Sequence, residues 1–147
     1  MSAPARLALR PAALCVTALL AALALGGCGG SSSSKPAAVV DVQERDFHIA
    51  APQHVHAGEV TLRVHNHGPD QHELIVVRSA HGLPMRSEGI TVDEESIQRQ
   101  EPGALEPGAA GAVRDLRVDL RPGRYVFFCN MAGHFLGGMH ATVVASA

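Results

Sequence analysis

From Glu59 to His67 the chain alternates with a period of two. Val60, Leu62, Val64 and Asn66 fall on one face, and Thr61, Arg63 and His65 on the other. A run patterned this way buries one face as a β-strand, so this stretch sets the class of fold that the rest must complete. The apolar run Leu74-Ile75-Val76-Val77, inside His72 to Arg78, is short and β-branched, as a strand in a sandwich core would be. Ala112 to Leu120 alternates again, with Val113 one slip out of phase with Leu116, Val118 and Leu120. A turn signal at Arg121-Pro122-Gly123-Arg124 precedes the strand-like Tyr125-Val126-Phe127-Phe128, and Ala141-Thr142-Val143-Val144 reads as another strand. Val39 to Ile49 supplies one or two more. Between Ser79 and Gly111 lie Pro84, Pro102, Pro107 and an acidic patch at Asp93-Glu94-Glu95. Val92 to Gln100 can form a short helix there, with Thr91 or Asp93 near its N-cap, and the remainder reads as a long connection across one end of the sheets. About seven short strands with polar turns and no repeats predict a single all-β domain, an antiparallel sandwich.

The first third has another character. Arg6 and Arg10 form a positive region, the apolar run Ala12 to Leu25 follows, and the run closes on Leu25-Gly26-Gly27-Cys28. This is the pattern of a secretory signal whose apolar part is short for a membrane span. The ending Leu-Gly-Gly-Cys resembles a bacterial lipobox, which implies that Cys28 is lipidated and becomes the mature N-terminus. The expected organisation is therefore a signal peptide over 1–27, a flexible Gly/Ser tether over 28–36 and a folded domain over 37–147. Such a chain would be exported to the cell envelope and held on a membrane by lipid at Cys28. Loss of Arg6 and Arg10 leaves ten basic residues against fourteen acidic ones. With no basic stripe, nucleic acid is excluded as an expected partner, and a monomer is the expected state.

Three cysteines are present. Cys15 leaves with the signal and Cys28 is taken by the lipid, so Cys129 stands alone. An exported domain with one thiol has no internal disulfide partner, and the thiol needs another role. Cys129 opens a segment between two strands that also carries His134 and Met139, at spacing Cys-x4-His-x4-Met. Thiolate, imidazole and thioether together suit copper, above all a site that holds both Cu(I) and Cu(II). His72, at the start of a core strand just after the turn Asn66-His67-Gly68-Pro69-Asp70, is the expected fourth donor. A trigonal His2Cys set with a weak axial Met would result.

These residues carry a resemblance. Asn66-x-Gly68-x-x-x-His72-Glu73-Leu74, the turn Pro122-Gly123 and Tyr125-Val126-Phe127-Phe128-Cys129-Asn130-x-x-Gly133-His134-x-x-Gly137-x-Met139 resemble the cupredoxins, in particular sulfocyanin-like and rusticyanin-like blue copper proteins. The likeness spans Val39 to the C-terminus and is weakest over Ser79 to Gly111. It implies a Greek-key sandwich with one type 1 copper near one end. His72 and His134 would be the imidazole ligands, Cys129 the thiolate and Met139 the axial ligand. His140, directly after Met139, would point away from it on a strand.

The resemblance implies one-electron transfer to transient redox protein partners rather than catalysis. Multicopper enzymes place a histidine beside the cysteine, whereas Phe128 and Asn130 flank Cys129 here; a binuclear centre needs a second cysteine in the loop. Phe135 and Leu136 either form an apolar patch around His134 or pack into the core. The alternative is a copper carrier of the cell envelope, for which His54-x-His56 and His65-x-His67, each pair on one strand face, offer further imidazoles.

Overall fold

A computed structural model describes residues 37–147. The expected signal peptide, the tether and Cys28 lie outside the described residues. Among the described residues nine strands form two sheets: β1 (Ala38–Arg45), β2 (His48–Ala50), β3 (His54–His56), β4 (Gly58–Asn66), β5 (His72–Arg78), β6 (Gly103–Gly108), β7 (Val113–Leu120), β8 (Gly123–Phe128) and β9 (His140–Ser146). One sheet has the order β2-β1-β4-β7 and the other β3-β9-β8-β5-β6.

The all-β sandwich is the expected one, but its sheets are mixed. β1 runs parallel to β4, and β3 runs parallel to β9. The cause is one leg of chain that changes sheets. β2 and β3 descend in succession, and the crossing at Ala51-Pro52-Gln53 carries β3 out of the first sheet into the second. β4 then returns in the direction of β1 and becomes its direct neighbour.

The alternation of β4 is borne out, with Val60, Leu62, Val64 and Asn66 all buried. Val60, Leu62 and Val64 meet Val42, Leu74, Val76, Leu120, Phe127 and Val143 in the core between the sheets. Fully burying side chains of this kind contributes about 1.5–3 kcal/mol each. Val113 is 57 % exposed, so the slip in phase before Leu116 marks a residue turned to solvent.

The long connection lies elsewhere than expected. It folds over the outer face of the second sheet, where Val92 and Ile97 pack on Ile75, Val77, Val126 and Phe128. This explains why β5 and β8 are continuous apolar runs: both of their faces are covered. The helical part is a single turn, α1 (Glu94–Ile97), with Asp93 at the N-cap position but no side-chain capping bond, followed by a 3-10 turn over Gln98–Gln100. The connection ends in β6, a strand paired with β5 that the alternation of the sequence did not reveal.

Candidate metal centre

Four segments meet at one pole of the sandwich. They are the β1–β2 turn, the turn leading into β5, the loop before β7 and the loop between β8 and β9. β5 begins there with His72, which is fully buried. β8 ends there, and Cys129 follows it, also fully buried.

The β8–β9 loop is a chain of tight turns. The His134 amide donates to the Met131 carbonyl at 2.9 Å, and the Gly137 amide to the Gly133 carbonyl at 2.9 Å. Two further bonds close the loop: Met139 N–H to His134 C=O at 2.9 Å and Cys129 N–H to Met139 C=O at 3.1 Å. Gly138, with φ of 102°, lies in the left-handed region that a side chain disfavours, and it turns the chain back into β9. Cys129, His134 and Met139 are thus fixed relative to one another by backbone hydrogen bonds.

One donor atom from each of His72, Cys129 and His134 lies within 4.8 Å of the others. The Cys129 Sγ to His134 Nδ1 distance is 3.6 Å, and the two imidazoles meet edge to face with centroids 5.2 Å apart. His72 Nδ1 is buried and has no hydrogen-bond partner among the described residues. A buried, unpaired nitrogen is costly unless something else takes its lone pair. Beside a thiol and a second imidazole, a metal ion is a chemically suited taker. The three residues form a potential metal site. Met139 is fully buried in the same core cluster as Cys129.

Burial, and next the neighbouring His134, push His72 below the ordinary histidine value, so its neutral, ligating form is favoured. Burial pushes the Cys129 thiol up to about 11, against the pull of the Met131 and Glu73 backbone N–H groups.

The β1–β2 turn supplies two residues that the sequence gave no reason to single out. Asp46 Oδ1 lies 3.1 Å from His72 Nε2. Phe47 tilts its ring onto His134 with centroids 5.2 Å apart, and it holds a φ of 57° to do so. The left-handed region costs a non-glycine residue roughly 1–2 kcal/mol. No pattern marks these positions, because both reach the site across a turn and a long gap in sequence.

Other expectations are resolved individually. His140 is exposed and turned from buried Met139, its ring 5.1 Å from that of Phe135. Phe135 packs edge-on against Phe128 at 5.5 Å, whereas Leu136 is 60 % exposed. His54 and His56 are exposed on β3. His65 and His67 stack with centroids 6.0 Å apart. Asp41 pairs with His65 at 3.2 Å, and the Gln43 side chain pairs with His67.

No protein-family model matches the chain, and no curated protein matches it in sequence. Solved structures do match. An auracyanin from Roseiflexus castenholzii aligns over 76 % of this chain and 98 % of its own, at 19 % identity and a TM-score of 0.59. Auracyanin A from Chloroflexus aurantiacus, described as a "blue" copper protein, aligns over 74 % and 98 %, at 15 % identity and a TM-score of 0.57. The fold is that of the cupredoxins. An azurin from Methylomonas sp. strain J adds to this at 15 % identity, with 75 % of this chain and 98 % of its own covered and a TM-score of 0.55. At such identities the likeness establishes the cupredoxin fold, and the donors at its pole are what speak to chemistry.

Proposed function

We propose that this cupredoxin-fold domain holds one type 1 copper ion and carries single electrons between transient redox protein partners. His72 Nδ1, buried and without a partner among the described residues beside Cys129 and His134, is the observation that carries this reading. His72, His134 and the Cys129 thiolate would hold the ion, with the Met139 thioether as a further, weaker donor. The ion would supply a one-electron cycle between Cu(II) and Cu(I).

The protein's part is to keep the donors still while the charge changes. The bonds joining Cys129, His134 and Met139 in one loop, and the burial of His72 at the head of β5, leave the ligands little freedom to rearrange. Burial excludes water from His72, Cys129 and Met139, while His134 retains 8 % of its surface. His134 is therefore the route by which a partner couples to the centre. Phe128 and Asn130 beside Cys129 provide no imidazole relay to a second centre, which favours a carrier over a catalyst.

Titrating the metal-free domain with Cu(II) gives an intense band near the red end of the visible spectrum, bleached by ascorbate and restored on reoxidation. Cys129→Ser abolishes the band. Cu(II) that binds without the band, and is lost on replacing His54, His56, His65 and His67, would instead establish a copper carrier.

We propose further that the chain is exported and anchored by lipid at Cys28, on the lipobox-like Leu25-Gly26-Gly27-Cys28. The full chain then partitions with membranes, and Cys28→Ser moves it to the soluble fraction. Unchanged partitioning would remove the anchor from this reading.

A further inference from the structure

Each residue of the β1–β2 turn reaches one of the two imidazoles. Phe47 covers His134, and Asp46 holds His72. The turn is tight, with Arg45 and His48 paired across it, so neither side chain has slack in its anchoring. The Asp46 Oδ1 that faces His72 Nε2 is also approached by the Asp70 amide at 3.4 Å. Two glycines leave room for this arrangement. A Cβ on Gly68 would come within 2.4 Å of Asp46 Oδ1 and 2.7 Å of His72 Nε2. A Cβ on Gly137 would come within 2.2 Å of the Phe47 ring.

A carboxylate only accepts hydrogen bonds, so His72 Nε2 must carry the proton and Nδ1 the lone pair. Nδ1 is the atom left without a partner among the described residues. We infer that Asp46 is a positioning residue for His72, fixing the tautomer that turns the Nδ1 lone pair on the metal and favouring the more positive oxidation state of the ion. The redox half of this inference rests on the copper reading above; the tautomer half does not. A negative group one imidazole away from an ion raises the basicity of the ligand and stabilises the higher charge. Asp46 is thus a determinant of the reduction potential that touches no metal itself.

Two measurements test it. In the metal-free domain, imidazole 15N shifts report His72 protonated at Nε2 alone, and Asp46→Ala turns this into a mixture of tautomers. In the copper-loaded protein, Asp46→Asn keeps an oxygen for the Nε2 proton and removes the charge. The blue band persists and the reduction potential shifts upward, while Asp46→Ala weakens Cu(II) binding about 10- to 100-fold. A metal-free His72 protonated at Nδ1, or an Asp46→Asn potential equal to that of the parent, would overturn the inference. Where Asp46→Ala does not fold, the Asp46→Asn potential decides. A fixed Nε2 tautomer in a domain that shows no blue band would sink the electron-transfer reading and leave the positioning role intact.

Discussion

The proposed ligands Cys129 and His72 would meet a metal ion from opposite protonation states. The thiol is buried, its pKa is pushed up to about 11, and it therefore keeps its proton at neutral pH until a cation displaces it. His72 is pushed the other way by the same burial and is already neutral. Metal uptake between pH 7 and 9 should then release one proton, from Cys129. The sign follows: the metal takes the thiolate, so apparent affinity rises with pH, about tenfold per unit while the thiol is protonated in the free domain. A pH indicator in weak buffer reads the released proton during Cu(II) loading, and Cys129→Ser releases none. Loading with no proton release would mean that the thiol is already ionised or is not a ligand.

The elements around the site divide into those that make ligands and those that brace them, and Asn130 belongs to the second kind. Its Oδ1 accepts the Val92 amide at 2.6 Å, and its Nδ2 donates to the Val92 carbonyl at 3.0 Å and to Glu94 at 2.6 Å. Its own amide donates to Glu73 Oε1 at 2.9 Å. One residue after Cys129 thus fastens the connection between β5 and β6, at the turn into α1, to the ligand loop. Asn130→Ala leaves both polar groups of fully buried Val92 unpaired, at about 1–3 kcal/mol each. The expected result is a domain less stable by about 2–6 kcal/mol in urea unfolding, with faster amide exchange across residues 83–97; unchanged exchange there would refute the brace. The same element explains what was legible in sequence. Strands with one buried face, such as β4, announce themselves by alternation, and the ligand loop by its donor spacing. The connection packs Leu83, Met85, Val92 and Ile97 at irregular intervals, a pattern with no period to read. β6 shows only a weak alternation, and Asp46 and Phe47 act across long sequence gaps, so none of the three left a local signal.

At the scale of the whole molecule, one guanidinium, that of Arg114, joins the two sheets at the head of β5. Glu44 on β1 is fully buried and pairs with Arg114 of β7 at 3.2 Å, within the first sheet. The Arg114 guanidinium then crosses to the second sheet, donating to the His72 carbonyl at 3.0 Å and to the Glu106 carbonyl. It passes over Gly108, where a Cβ would come within 2.4 Å of it. Burial raises the Glu44 carboxyl from 4.5 to about 7 despite the opposing pull of Arg114, and Glu44 Oε1 and Arg114 Nε have no partner among the described residues. The folded state therefore holds a proton on Glu44 that the unfolded chain gives up near pH 4.5. The folded chain binds more protons across that window, so the contribution of Glu44 is complete below about pH 4.5 and is lost as pH rises through about 7. The loss amounts to on the order of 3 kcal/mol at most. Glu44→Gln fixes the neutral form and should flatten the decline in stability between pH 4.5 and 7 in urea unfolding of the metal-free domain, relative to the parent. If parent and variant keep the same slope, Glu44 is ionised throughout and forms a full ion pair with Arg114 inside the first sheet. If the variant is flatter, the guanidinium that crosses between the sheets is held by a carboxyl that stays neutral on the acid side of the transition.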